Sequence, residues 1–189
     1  MKIIQLFGSQ HFRFSTLFAL LILLSCKPQK EAEEMSRQNV RIVTVDPGHF
    51  HAALVQKSMY EGVDSVVHVY APEGKDVQLH LDRINNFNNR AESPTHWKEE
   101  VYRGSDFFEK MISEKKGNVV VLSGNNQKKT EYIARSLEAG LNVLADKPMV
   151  IGSDGFTVLK GAFETAKMND LLLYDIMTER FEISTMLQK

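Results

Sequence analysis

The sequence carries a single cysteine, Cys26, in 189 residues, which excludes an internal disulfide framework and any zinc site built on several thiolates. Charge of one sign is also lacking: 23 Lys and Arg stand against 24 Asp and Glu, a formal net charge of −1. Such a balance gives no general attraction to a phosphate backbone or an anionic membrane, so nucleic acid is not an expected partner. There is no internal repeat, and no low-complexity stretch beyond one short polar segment. The longest apolar run, from Phe14 to Leu24 with Ser15 and Thr16 inside it, falls short of the roughly 20 residues that a membrane-spanning helix needs. What remains is a chain that is 43% hydrophobic and 25% charged, the balance of a soluble globular protein with one sizeable core.

Lys2, His11 and Arg13 precede the apolar run, and Ser25 and Cys26 follow it, the order of a secretory signal. Leu23-Leu24-Ser25-Cys26 resembles the lipobox of bacterial lipoproteins, which implies acylation of the Cys26 thiol. Lys27 to Gln38 is polar and contains Pro28, a tether composition. No arginine pair precedes the apolar run, so the Sec route is implied rather than the twin-arginine one. The expected organisation is a signal peptide over 1–25, a tether over 26–39, one folded domain over 40–176, and the start of a second domain over 177–189. The protein is expected to be exported and held to a bacterial membrane through a lipid on Cys26.

From Val40 onward, short β-branched runs alternate with helical stretches. Strands are expected at 40–45, 65–70, 100–102, 118–122, 142–145 and 171–175, and helices at 50–60, 76–89, 106–115, 127–139 and 153–168. In the second helix Val77, Leu81, Ile84 and Phe87 recur at spacings of three and four, an amphipathic pattern. Ser105 and Ser153 are the expected caps of the helices they precede or open, and Gly140 stops the fourth helix. Repeated βα alternation with apolar strands predicts a doubly wound, mostly parallel α/β sheet of about six strands with helices on both faces.

The first βα turn reads Asp46-Pro47-Gly48-His49-Phe50-His51. A dinucleotide fold needs a tight turn here so that the helix N-terminus faces the pyrophosphate. Gly48 supplies one close approach, but Asp46 and His51 stand where the first and third glycines of G-x-G-x-x-G belong. The second strand normally ends in an acid for the adenosine ribose. Ala71 holds that position and Glu73 lies beyond it, with Lys75 suited instead to a 2′-phosphate, so NAD and NADP both remain open.

The fourth strand leads into Ser123-Gly124-Asn125-Asn126, and the fifth into Ala145-Asp146-Lys147-Pro148. These stretches resemble the glucose-fructose oxidoreductase, inositol dehydrogenase and rhizopine-catabolism (Gfo/Idh/MocA) family, with its P-N-x-x-H and A-G-x-x-V-x-x-E-K-P patterns. Counting from Ala139-Gly140 sets Asn126 on the family's Asn and Lys129 on its His; Asn125 stands for the usual Pro, and Asp146 for the Glu. The resemblance spans about 40–180 and implies a Rossmann domain in which Lys147 sits beside the nicotinamide and the substrate hydroxyl, as the catalytic residue. It implies cofactor contacts from Asp46, Pro47, Gly48, His49, Phe50, His51, Glu73, Ser123, Gly124, Asn125, Asn126, Asp146, Lys147 and Pro148. A cis Lys147-Pro148 bond would fix the direction of the lysine. Arg180 is a further candidate near the cofactor.

His49 and His51, with His68, His80 and His96, offer no pair at helical i, i+4 spacing with a third ligand in sight, so no metal is expected. The family's second domain, which supplies acid–base residues and the oligomer interface, does not follow, and a fragment of a longer protein is favoured over a shortened module. Three functions are carried forward. The first is an exported, lipid-anchored NAD- or NADP-dependent oxidoreductase acting at a hydroxyl carbon of a sugar, cyclitol or similar polyol, homo-oligomeric when the second domain is present. The second is a glycosidase that uses NAD in a redox-assisted cycle. The third is a non-catalytic binding or scaffolding surface lipoprotein.

Overall fold

The computed structural model describes residues 40–176 and Leu187; the expected signal and tether, Cys26 and Arg180 lie outside the described residues. The elements alternate throughout: β1 (Ile42–Val45), α1 (His51–Leu54), β2 (Val66–Ala71), α2 (Lys75–Asn89), β3 (Lys98–Arg103), α3 (Phe107–Glu114), β4 (Val119–Leu122), α4 (Asn126–Glu138), β5 (Asn142–Ala145), α5 (Ser153–Met168) and β6 (Leu173–Asp175). All strand pairs are parallel, in the order β3-β2-β1-β4-β5-β6. This is the doubly wound sheet the sequence predicts. The strand order reverses between β1 and β4, which opens a crevice at the carboxyl ends of those two strands.

Two cores form because successive strand residues face opposite sides of the sheet. Val43, Val45, Val120, Leu122 and Val143 pack with Phe107, Phe108 and Met111 of α3, Tyr132, Ile133 and Leu137 of α4, and Ala162 and Ala166 of α5. Ile42, Val67, Val69 and Val121 pack on the other side with Ala52 and Ala53 of α1, Val77 and Ile84 of α2, and Trp97. Each large buried side chain contributes about 1.5–3 kcal/mol of hydrophobic stabilisation.

Four elements depart from expectation. The helix expected over 50–60 is a single turn, 51–54. After Leu54 the chain tightens into i→i−3 hydrogen bonds, Gln56 N–H to the Ala53 carbonyl at 3.0 Å and Lys57 N–H to the Leu54 carbonyl at 3.2 Å, and the carbonyls of Gln56 and Lys57 accept from Trp97 Nε1 and Arg90 Nη2, both at 2.7 Å. The strand expected over 100–102 runs from Lys98 to Arg103; it is an edge strand, and its polar Lys98-Glu99-Glu100 start hides the pattern. Neither serine caps its helix: the N-cap positions are Asp106 and Gly152, and no side chain closes either end.

On α2 the apolar face contains a polar intruder. His80 is 1% exposed, and neither ring nitrogen has a hydrogen-bond partner among the described residues. Burial, with a smaller effect from Arg83, pushes its pKa down to about 4. The folded state therefore holds it neutral, whereas the unfolded chain protonates it near the ordinary imidazole value of 6.5, so stability is lost as pH falls from that value toward 4. His80→Leu should raise stability by about 1–2 kcal/mol at pH 7. The gain should be larger near pH 5, as urea unfolding at the two pH values would reveal; an equal gain at both would show that the histidine is not held neutral.

Candidate functional site

Three chain segments meet at the crevice. The turn after β1 carries Asp46 to Phe50, the turn after β4 carries Ser123 to Asn125, and β5 runs directly into Asp146-Lys147-Pro148. The first two turns touch through bare backbone. A Cβ on Gly48 would meet the Gly124 Cα at 3.3 Å, and one on Gly124 would lie 2.5 Å from the Gly48 Cα. His49 N–H donates to the Ser123 carbonyl at 2.9 Å. Asn125 Nδ2 donates to the Asp46 carboxylate at 2.7 Å. Asp46 and Asn125 both sit at positive φ, 46° and 35°, a region that Asn and Asp tolerate better than other side chains.

Asp146 is the hub. It is 2% exposed, and its Oδ1 accepts from His51 Nδ1 at 2.9 Å and from the Lys147 backbone N–H at 2.8 Å. Its Oδ2 faces Ser123 Oγ at 3.2 Å and His49 Nδ1 at 3.1 Å. Burial alone would raise its pKa, but the His51 hydrogen bond and the charges of His51, Lys129 and His49 outweigh this and hold the carboxyl below its ordinary value. Behind it Lys129, 1% exposed, donates to Asn126 Oδ1 at 2.7 Å and to the Asp146 carbonyl at 3.1 Å. Burial lowers the Lys129 pKa, Asp146 opposes that shift, and Lys147 adds to it.

The candidate residues thus divide. Gly48, His49, Phe50, Asn125, Asn126, Lys147 and Pro148 are exposed around the crevice, with Gly124 half-buried between them. Pro47, His51, Ser123 and Asp146 are buried beneath and support that rim. Lys147-Pro148 is cis. Glu73 lies apart, exposed and facing Arg103 at 3.7 Å. Two features escaped the sequence. Lys129, aligned with the family histidine, gave no sign that it is buried; and the third partner that the His49/His51 pair lacked is Asp146. A groove of about 560 Å³ beside α4 and α5 is lined by Thr130, Glu131, Ala134, Arg135, Ile151 and Val158 among others. Its titratable groups, Glu131 and Arg135, are paired with each other and with Glu109 on the surface, whereas those of the crevice converge on a buried carboxylate, so the crevice is the better candidate.

Phe50 is exposed beside the crevice, and Lys147 stands at its rim with its backbone N–H held by the Asp146 carboxylate. The usual diphosphate turn is altered: α1 is one turn long, and Asp46 brings a carboxylate where glycine is usual. Burial raises the Asp46 pKa, the Asn125 hydrogen bond opposes this, and Asp76 adds to it. Because the two turns are held apart by backbone alone, Gly124→Ala should destabilise the protein by on the order of 3 kcal/mol. Denaturant midpoints would measure it; an unchanged midpoint would mean that the turns separate freely.

Neither family models nor curated proteins give a match to the chain. Among solved structures, the chain matches a Parabacteroides merdae protein assigned as an oxidoreductase at 60% identity and a TM-score of 0.77, over 80% of this chain and 34% of that one. It matches Synechocystis biliverdin reductase, solved with biliverdin and NADP+, at 16% identity and 0.53, over 72% and 37%. A Sinorhizobium meliloti protein assigned as a myo-inositol dehydrogenase gives 12% and 0.51, over 75% and 37%. The last two show the fold alone, and the chain spans about a third of the length of each relative. The chain is thus similar to part of a protein assigned as an oxidoreductase, and it shares the doubly wound, Rossmann-like fold of all three.

Proposed function

We propose that the chain is the cofactor-holding part of an oxidoreductase that moves hydride between a nicotinamide cofactor and a hydroxyl-bearing carbon of a sugar, cyclitol or related polyol. The observation that carries this reading is Lys147, exposed at the end of β5 while its own N–H is locked onto the buried Asp146 carboxylate. When bound, the nicotinamide accepts or gives the hydride. An ammonium fixed at that rim orients the reacting oxygen, stabilises charge developing on it, and can hold or release its proton.

The residues that would hold the cofactor are those exposed around the crevice: Gly48, His49, Phe50, Asn125, Asn126 and Lys147. At the adenosine side Glu73 and Lys75 offer an acid for ribose hydroxyls and a base for a 2′-phosphate, so NAD and NADP are both candidates. Export, the lipid anchor at Cys26 and homo-oligomerisation belong to the same proposal, as features of the whole protein.

One observation favours a second reading, a binding module without catalysis: the anionic Asp46 side chain and the one-turn α1 in place of a glycine-rich diphosphate turn. Calorimetric titration of NAD and of NADP into the chain separates the two readings. Saturable binding of either cofactor supports the first, and binding of neither supports the second. In the whole protein, Lys147→Ala should lower hydride transfer, followed by nicotinamide absorbance, by about 10²–10⁴-fold. Unchanged turnover would remove Lys147 from the chemistry.

A further inference from the structure

We propose that His49, His51 and Asp146 form a binding site for a divalent transition-metal ion at the edge of the crevice. One ligand atom from each residue lies within 4.8 Å of the other two. The Asp146 oxygens stand 2.9 Å from His51 Nδ1 and 3.1 Å from His49 Nδ1. Cis donors around a six-coordinate ion with bonds of about 2.1 Å are separated by about 3.0 Å, so each imidazole stands at the spacing of an adjacent donor from one carboxylate oxygen, and the three residues offer two imidazoles and a carboxylate. That donor set suits zinc, iron, cobalt and manganese, and selects against magnesium and calcium, which take oxygen donors.

The way the chain builds the set supports the assignment. The two imidazoles come from one short turn, with rings 4.4 Å apart and nearly perpendicular, and both aim Nδ1 at the same carboxylate. His51 and Asp146 are 4% and 2% exposed and fix the inner side, while the His49 side chain is 43% exposed. An ion held there would keep its remaining positions toward the crevice. Ser123 Oγ and the Lys147 N–H already orient the two Asp146 oxygens, the outer hydrogen bonds that metal-bound carboxylates use. Two cations oppose binding, Lys129 on the Asp146 carbonyl and Lys147 next in the chain, so affinity in the micromolar range is expected rather than the much tighter binding of a closed structural zinc site.

The test uses the full chain, stripped with a chelator and titrated with Co²⁺ alone. One equivalent should bind, with a visible d–d absorption band, and Zn²⁺ should displace it. His49→Gln changes an exposed residue and leaves the fold intact by circular dichroism; it should weaken Co²⁺ binding at least about tenfold. Asp146→Asn should abolish the band. No saturable binding up to millimolar Co²⁺ would show that the three residues are joined by hydrogen bonds only and would overturn the proposal. So would His49→Gln binding as tightly as the unaltered chain, because the ion would then lie elsewhere. Cofactor titration is a separate measurement, so this site and the oxidoreductase reading can fail independently.

Discussion

A buried carboxylate must find donors or lose its charge, and the candidate site is organised around that requirement at Asp146. Isolated ionised groups in a protein interior cost several kcal/mol, and here the cost is offset by four donors drawn from three segments. The turn after β1 gives two imidazoles, the turn after β4 gives a hydroxyl, and the chain's own next amide completes the set. Lys129 comes up beneath from α4 to the carbonyl of the same residue. Asp146 thereby joins both halves of the doubly wound sheet at the point where the strand order reverses.

How much of this could be read beforehand depended on the range of the interactions responsible. The strands were legible because fully buried parallel strands are continuous apolar runs, as in Val119-Val120-Val121-Leu122. Asp146-Lys147-Pro148 stood out at the end of a strand because its pattern lies in adjacent residues. The end of α1 was not, because the segment after it turns through i→i−3 hydrogen bonds and ties its carbonyls to Trp97 and Arg90 from a distant part of the chain. The start of β3 was obscured for the opposite reason: an edge strand needs few apolar residues, and Lys98 and Glu100 keep it soluble.

The polar centre was the least legible part. His51 and Asp146 are separated by 95 positions, and no local spacing rule reports on such a pair. Lys129 was harder still, since a lysine on an amphipathic helix is ordinarily solvated. Its burial follows from two acceptors, Asn126 Oδ1 and the Asp146 carbonyl, and the second exists only once β5 is in place. The residues that line the rim were legible as a set, whereas the residues that hold the rim in position were visible only in three dimensions.

The glycine pair at the floor of the crevice bears on how this fold can be recognised. Gly48 and Gly124 meet backbone to backbone, so the distance between the two turns is set by main-chain atoms and is insensitive to most side-chain drift nearby. The usual fingerprint counts glycines within a single turn, and by that count this chain has lost two of three. The close approach survives as a pair shared between the first and fourth strands, invisible to any pattern confined to one segment. Searches for eroded members of such folds would gain from scoring the two turns jointly, as one motif in space.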